Sequence, residues 1–311
     1  MRAGILAGVS AIALGQSAAP GQFTWLYTFG SKEGIHPPTI LNRRLARAAL
    51  GQGENPYGLL FPVAVASDLH GRVWITDGGT RSVHVFDLAG RTYREIRRAG
   101  DVLLEQPSGI VSDSQGRVFV ADSGGGIFVF DENGEFDRWM VKRGSGLLAG
   151  PTALALSENE RTIFVADPPR NAIVALNREG EVNETISLPA ELREPADISV
   201  VHNQICVLGS QQHRAAMFSP GGWHRGELRW EGVHFPSAFT YDAARRRFLV
   251  ATPRWTIVQI FDEEGQNLGV FGQQGEAVDQ TERIDFVHVD REGRVYVVDS
   301  RHGKVLVFAE R

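Results

Sequence analysis

Five arginines stand just beyond short β-like runs that end in Asp, Gly or Thr: Arg81, Arg170, Arg214, Arg254 and Arg301. His213, Trp255 and His302 share those segments. A guanidinium group is planar, permanently charged and rich in paired donors. Several of them gathered round one opening would bind a carboxylate, a phosphate or an acidic peptide. The competing reading is that each is a solvated loop residue paired with a nearby Asp or Glu. Other chemistry has thinner support. Cys206, in the apolar run Ile205-Cys206-Val207-Leu208, reads as a buried, inert thiol. Gly124-Gly125-Gly126 is followed by neither a Lys nor a helix pattern, which removes a phosphate loop. The chain has no Gly-x-Ser-x-Gly nucleophile elbow.

The elements that must carry these residues repeat along the chain. One unit reads Gln106-Pro107-Ser108-Gly109-Ile110, then Gly116-Arg117-Val118-Phe119-Val120-Ala121-Asp122, then Ile127-Phe128-Val129-Phe130-Asp131, with a turn at Asn133-Gly134. The same phrase starts at Pro62, Pro107, Pro151, Pro195, Pro236 and Ile284, with steps of 41 to 48 residues. Short β-branched and aromatic runs at that period, punctuated by Gly, Asn and Asp, predict propeller blades. Fourth strands are expected at Thr92–Arg97, Phe136–Val141, Glu181–Leu188, His224–Trp230 and Asn267–Phe271. The sixth unit has none of its own. Phe23-Thr24-Trp25-Leu26-Tyr27-Thr28-Phe29-Gly30 resembles Asn267-Leu268-Gly269-Val270-Phe271-Gly272 and is expected to complete it. The fold class expected is therefore all-β. It is a six-bladed β-propeller of four-stranded antiparallel blades, its ring closed by the N-terminal strand, three strands from one end of the chain and one from the other.

Asp77, Asp122, Asp167 and Asp299 end the second run of their units. A ring of metal-binding carboxylates is one reading. The other is structural, each carboxylate accepting N–H groups of the loop that follows, and the recurrence among turn-forming residues favours it.

The blade phrase is Pro-x-Gly-Ile-x-x-Asp, then Gly-x-Val-x-Val-x-Asp, then an apolar strand ending in Phe-Asp, and it resembles the NHL repeat over residues 23 to 308. Blades 1, 2, 3 and 6 match best, while Gly209 and Thr252 replace the expected Asp in blades 4 and 5. The resemblance implies a propeller and leaves function open, because such folds host scaffolds, RNA binders and some enzymes. Lyase relatives hold zinc with His beside the leading Pro. Here those positions are Val63, Ser108, Thr152, Ala196, Ser237 and Asp285, and His288 is alone in its strand. No three-His zinc site follows. No cofactor is expected, with calcium or zinc in the central channel left as an alternative.

Composition narrows the partners. Lys and Arg total 32 against 37 Asp and Glu, a net charge of −5, which gives no bulk attraction to nucleic acid. A single Cys permits no intrachain disulfide. Met1-Arg2, thirteen uncharged residues and a small-residue stretch to Ala19 read as a signal peptide over residues 1–19, too short to span a bilayer. The expectation is a periplasmic or secreted protein with no membrane span after signal removal. Its partner is expected to be a protein or peptide, bound by the loop face around the channel. The insertion at 31–60, with a helix at 40–50, reads equally as a lid, a docking helix or a packing arm.

Overall fold

The computed structural model describes residues 23–30, 58–90, 92–192, 194–209, 214–277 and 279–310. The expected signal peptide, the expected helix at 40–50 and His213 lie outside the described residues. Within them the chain folds into six four-stranded antiparallel sheets. In blade 1 the strands are Pro62–Ser67, Val73–Asp77, Ser82–Asp87 and Thr92–Ile96, joined by tight turns in simple meander order. The fourth strands follow their sequence expectation closely: Phe136–Val141 and Asn267–Phe271 agree at both ends, and His224–Arg229 stops one residue short.

Blade 6 is shared by the two ends of the described chain. Phe286–Val289, Val295–Asp299 and Lys304–Glu310 supply three strands. Phe23–Phe29 pairs antiparallel with the last of these, Phe29 opposite Val305 and Phe23 opposite Glu310. This closure satisfies strand edges that would otherwise be free.

The first strands of the six blades touch one another round the ring and wall the channel. The apolar side chains form six clusters among the described residues, each straddling one blade boundary. Trp74 of blade 1, for example, packs on Phe130 of blade 2 with ring centroids 5.4 Å apart. Both are fully buried, and side chains of this kind contribute about 1.5–3 kcal/mol each on burial. The second strands are buried on both faces, which explains their unbroken apolar runs. Cys206 sits in one of them, and desolvation pushes its thiol up to about 12, so it is inert at neutral pH.

Candidate functional site

The repeated aspartates build the loop face. Asp77, at the end of the second strand of blade 1, accepts the backbone N–H of Leu60 at 2.7 Å and of Phe61 at 3.1 Å. It also accepts those of Gly79 at 2.8 Å and Thr80 at 2.9 Å. Asp122 does the same for Glu105, Gln106 and Gly124. Asp167 holds Ala149 and Gly150, and Asp299 holds Glu282 and His302. Asp77, Asp122 and Asp299 thus tie the connection between blades to the turn after the second strand, Asp167 holds the connection, and both kinds of loop lie on one face of the disc. A second set, Asp68, Asp113 and Asp290, closes hairpins on the opposite face, each accepting from the Arg four residues on. The aspartates are structural, and among the described residues no group of three or more His, Cys, Asp or Glu is placed to hold a metal ion.

The sequence-derived arginines differ in their local settings. Arg254 and Arg301 stand two residues past Thr252 and Asp299, Arg170 three past Asp167, Arg81 four past Asp77 and Arg214 five past Gly209. Arg81 occupies the left-handed corner of its turn, φ +54°, which other blades give to Gly125, Asn171, Thr256 and Gly303. Arg214 is not in a loop at all: it opens the strand Arg214–Phe218 and pairs with Glu227 at 3.0 Å. Arg170 donates to the carbonyls of Leu147 and Gly146 and lies 3.8 Å from Asp167. Arg301 and His302 are brought together on Glu282, at 2.9 and 3.1 Å, and His302 Nδ1 also meets Asp299 at 2.9 Å. Arg254 is exposed, and Trp255 stands edge-on to His234 with centroids 5.6 Å apart. None of these residues lines the central channel.

The channel holds a cavity of about 550 Å³ walled by the first strands. Near its loop-face end, Arg283 Nε donates to Asp285 at 2.6 Å, and Ser300 donates to the other oxygen of the same carboxylate. Ser108 and Ser123 both donate to the carbonyl of Pro151, and Ser237 donates to that of Ile284. Two titratable groups deeper in the wall are perturbed. Asp197 is buried with no cationic partner among the described residues, and desolvation pushes it up to about 7 despite two backbone N–H bonds. His288 has its Nε2 enclosed without a hydrogen-bond partner among the described residues, and desolvation lowers its pKa to about 4.

Sequence reasoning singled out Trp255 but missed the other exposed apolar residues of the same face. Leu60, Phe61, Val102, Leu103, Leu147 and Phe235 stand in the connections between blades, and Trp255 in the turn after a second strand. All seven are therefore on the loop face. Phe61 is 52% exposed and Trp255 43%, and Phe61 also lines the channel opening. The one sequence signal was an aromatic residue directly before a leading Pro, as in Phe61-Pro62 and Phe235-Pro236.

These features define the class of protein as a six-bladed β-propeller with a structured loop face over a channel of mixed polar and apolar lining. Solved structures share that fold. A virginiamycin B lyase from Staphylococcus aureus superposes with a TM-score of 0.62 at 13% identity, covering 93% of this chain and 99% of the lyase. A catalytically inactive form of the same lyase with quinupristin gives 0.59 at 12% identity over 80% of each chain. A protein of unknown function from Bacteroides thetaiotaomicron gives 0.68 at 12% identity, over 93% of this chain and 77% of that one. No family model matches the sequence, and no curated protein matches it.

Proposed function

We propose that this chain is a non-catalytic, exported propeller of the NHL-repeat kind that binds a protein or peptide partner through its loop face. The observation that carries the reading is the gathering of seven large exposed apolar side chains on that face, among exposed arginines. Aromatic and Arg side chains are the ones that anchor protein interfaces. The aspartate staples support it further, because they hold the loops of neighbouring blades in fixed register and so lower the ordering cost of binding.

The test uses the full chain as bait in material from its source cells, with partners identified by mass spectrometry. Phe61→Asp and Trp255→Asp are expected to abolish capture of a specific partner. Trp223→Asp, at a turn on the opposite face, is expected to leave it intact. Capture that survives both loop-face changes would overturn the reading.

A second reading has one observation in its favour. The channel cavity holds a carboxylate, Asp197, that titrates near neutrality, a property that suits a general acid or base. On this reading the chain is a channel-centred, metal-dependent hydrolase or lyase. The fold it shares with lyases, at 12–13% identity, carries no activity across by itself.

A further inference from the structure

A second cavity, of about 400 Å³, opens on the loop face between blades 1 and 2, away from the channel. Arg81, Arg97 and Arg143 line it, with Val102, Leu103 and Glu105. Val102 and Leu103 form one arm of a small extra hairpin, Arg98–Ala99 paired with Val102–Leu103, that rises from the connection between these blades. Leu103 is 57% exposed.

The three guanidinium groups differ in how they are held. Arg97 is anchored by Glu95 at 2.8 Å. Arg143 is anchored by Glu105 at 2.7 Å and by the buried Asp122 at 3.0 Å, yet its Nε is enclosed with no acceptor among the described residues. Arg81 makes no hydrogen bond or ion pair among the described residues, although it occupies a left-handed corner that Gly or Asn adopts at lower cost. The pocket thus has one guanidinium available, one enclosed N–H lacking an acceptor, and an apolar lip.

Building on the partner-binding reading above, we propose that this pocket recognises an acidic residue flanked by an apolar side chain in a peptide segment of the partner. The carboxylate would sit among Arg81, Arg97 and Arg143, and its apolar neighbour against Val102 and Leu103. Charge complementarity and the adjoining apolar lip select this occupant, since paired guanidinium donors match a carboxylate and the lip adds buried area.

The experiment measures fluorescence polarisation of labelled heptapeptides centred on Asp or Glu and flanked by Leu, Phe or Tyr, each with an Asn or Gln twin, against the full chain. Members of the acidic set are expected to bind, their amide twins at least about tenfold more weakly. Arg81→Gln and Arg97→Gln, both exposed and outside the aspartate staples, are each expected to weaken binding about fivefold or more. Binding should also fall as salt rises from about 50 to 300 mM. Equal binding of acid and amide twins, no binding up to about 1 mM peptide, or unchanged binding by both Arg variants would overturn the proposal. A partner whose capture needs Phe61 and Trp255 but is unaffected by Arg81→Gln and Arg97→Gln would overturn the pocket and leave the loop-face reading standing. Capture indifferent to all four would overturn both.

Discussion

Asp197 of blade 4 reaches across the blade boundary and accepts the backbone N–H of Phe239 of blade 5 at 2.9 Å. Its other oxygen accepts the N–H of Ile198. Blades 4 and 5 are the two that lack the repeated Asp after the second strand, having Gly209 and Thr252 there.

Burial of this carboxyl makes stability pH-dependent in a stated direction. Desolvation raises the folded pKa of Asp197 to about 7 from an ordinary 3.8. Between those values the folded chain binds more protons at this site than the unfolded chain, so its contribution is full below about pH 4 and is lost as pH rises through 7. Asp197→Asn loses one N–H acceptor at every pH but has no titration. Relative to wild type, the variant should gain stability between pH 5 and 8, by roughly 2–3 kcal/mol. Denaturant unfolding of both proteins across that range checks this, and parallel curves would contradict it.

Asp122→Ala removes the acceptor for three backbone N–H groups and for Arg143. A loss of about 2–4 kcal/mol is expected. Asp131→Ala, at a solvent-facing turn where among the described residues Asp131 accepts from Asn133 and Glu135 alone, should cost under about 1 kcal/mol. Chemical denaturation of the two variants side by side separates a staple from an ordinary turn aspartate.

Gly180, at φ +90°, turns the chain of blade 3 directly over the carbonyl of Met140 in blade 2, where a Cβ would fall on the oxygen. Gly144 also has a positive φ, +77°, but open space around it. Gly180→Ala should therefore destabilise by several times more than Gly144→Ala, whose cost is the backbone strain alone, about 1 kcal/mol. Thermal melts of the two variants provide the comparison.

Calcium, magnesium or zinc at millimolar concentration should leave the melting temperature unchanged to within about a degree, and so should a chelator. A saturable rise with one of these ions would identify binding to the native state. It would move the functional reading to the channel.

The architecture was legible because each blade must repeat the same turn chemistry to pack on its neighbour. The Pro, Gly and Asp positions recur for backbone reasons, and Asp77, Asp122, Asp167 and Asp299 have the structural role their recurrence implied. The settings of the arginines were not legible, because residue type alone does not give position within a turn. Arg81 is at the corner of a turn, Arg170 in a one-turn 3-10 segment and Arg214 in a strand. The apolar loop-face residues were hidden for a related reason. An isolated Leu103 or Phe235 reads like any core residue until the chain path shows that it faces outward.

The pairing of Phe23–Phe29 with Lys304–Glu310 also sets a clock. The earlier of these two strands can find its place only after the later one has emerged, and at about 5–20 residues per second that interval is roughly 15–60 s. Throughout it, the unfinished sixth blade presents an open edge to every other chain nearby. Crowded synthesis is therefore the condition in which this protein is most exposed to swapping the earlier strand into a neighbour.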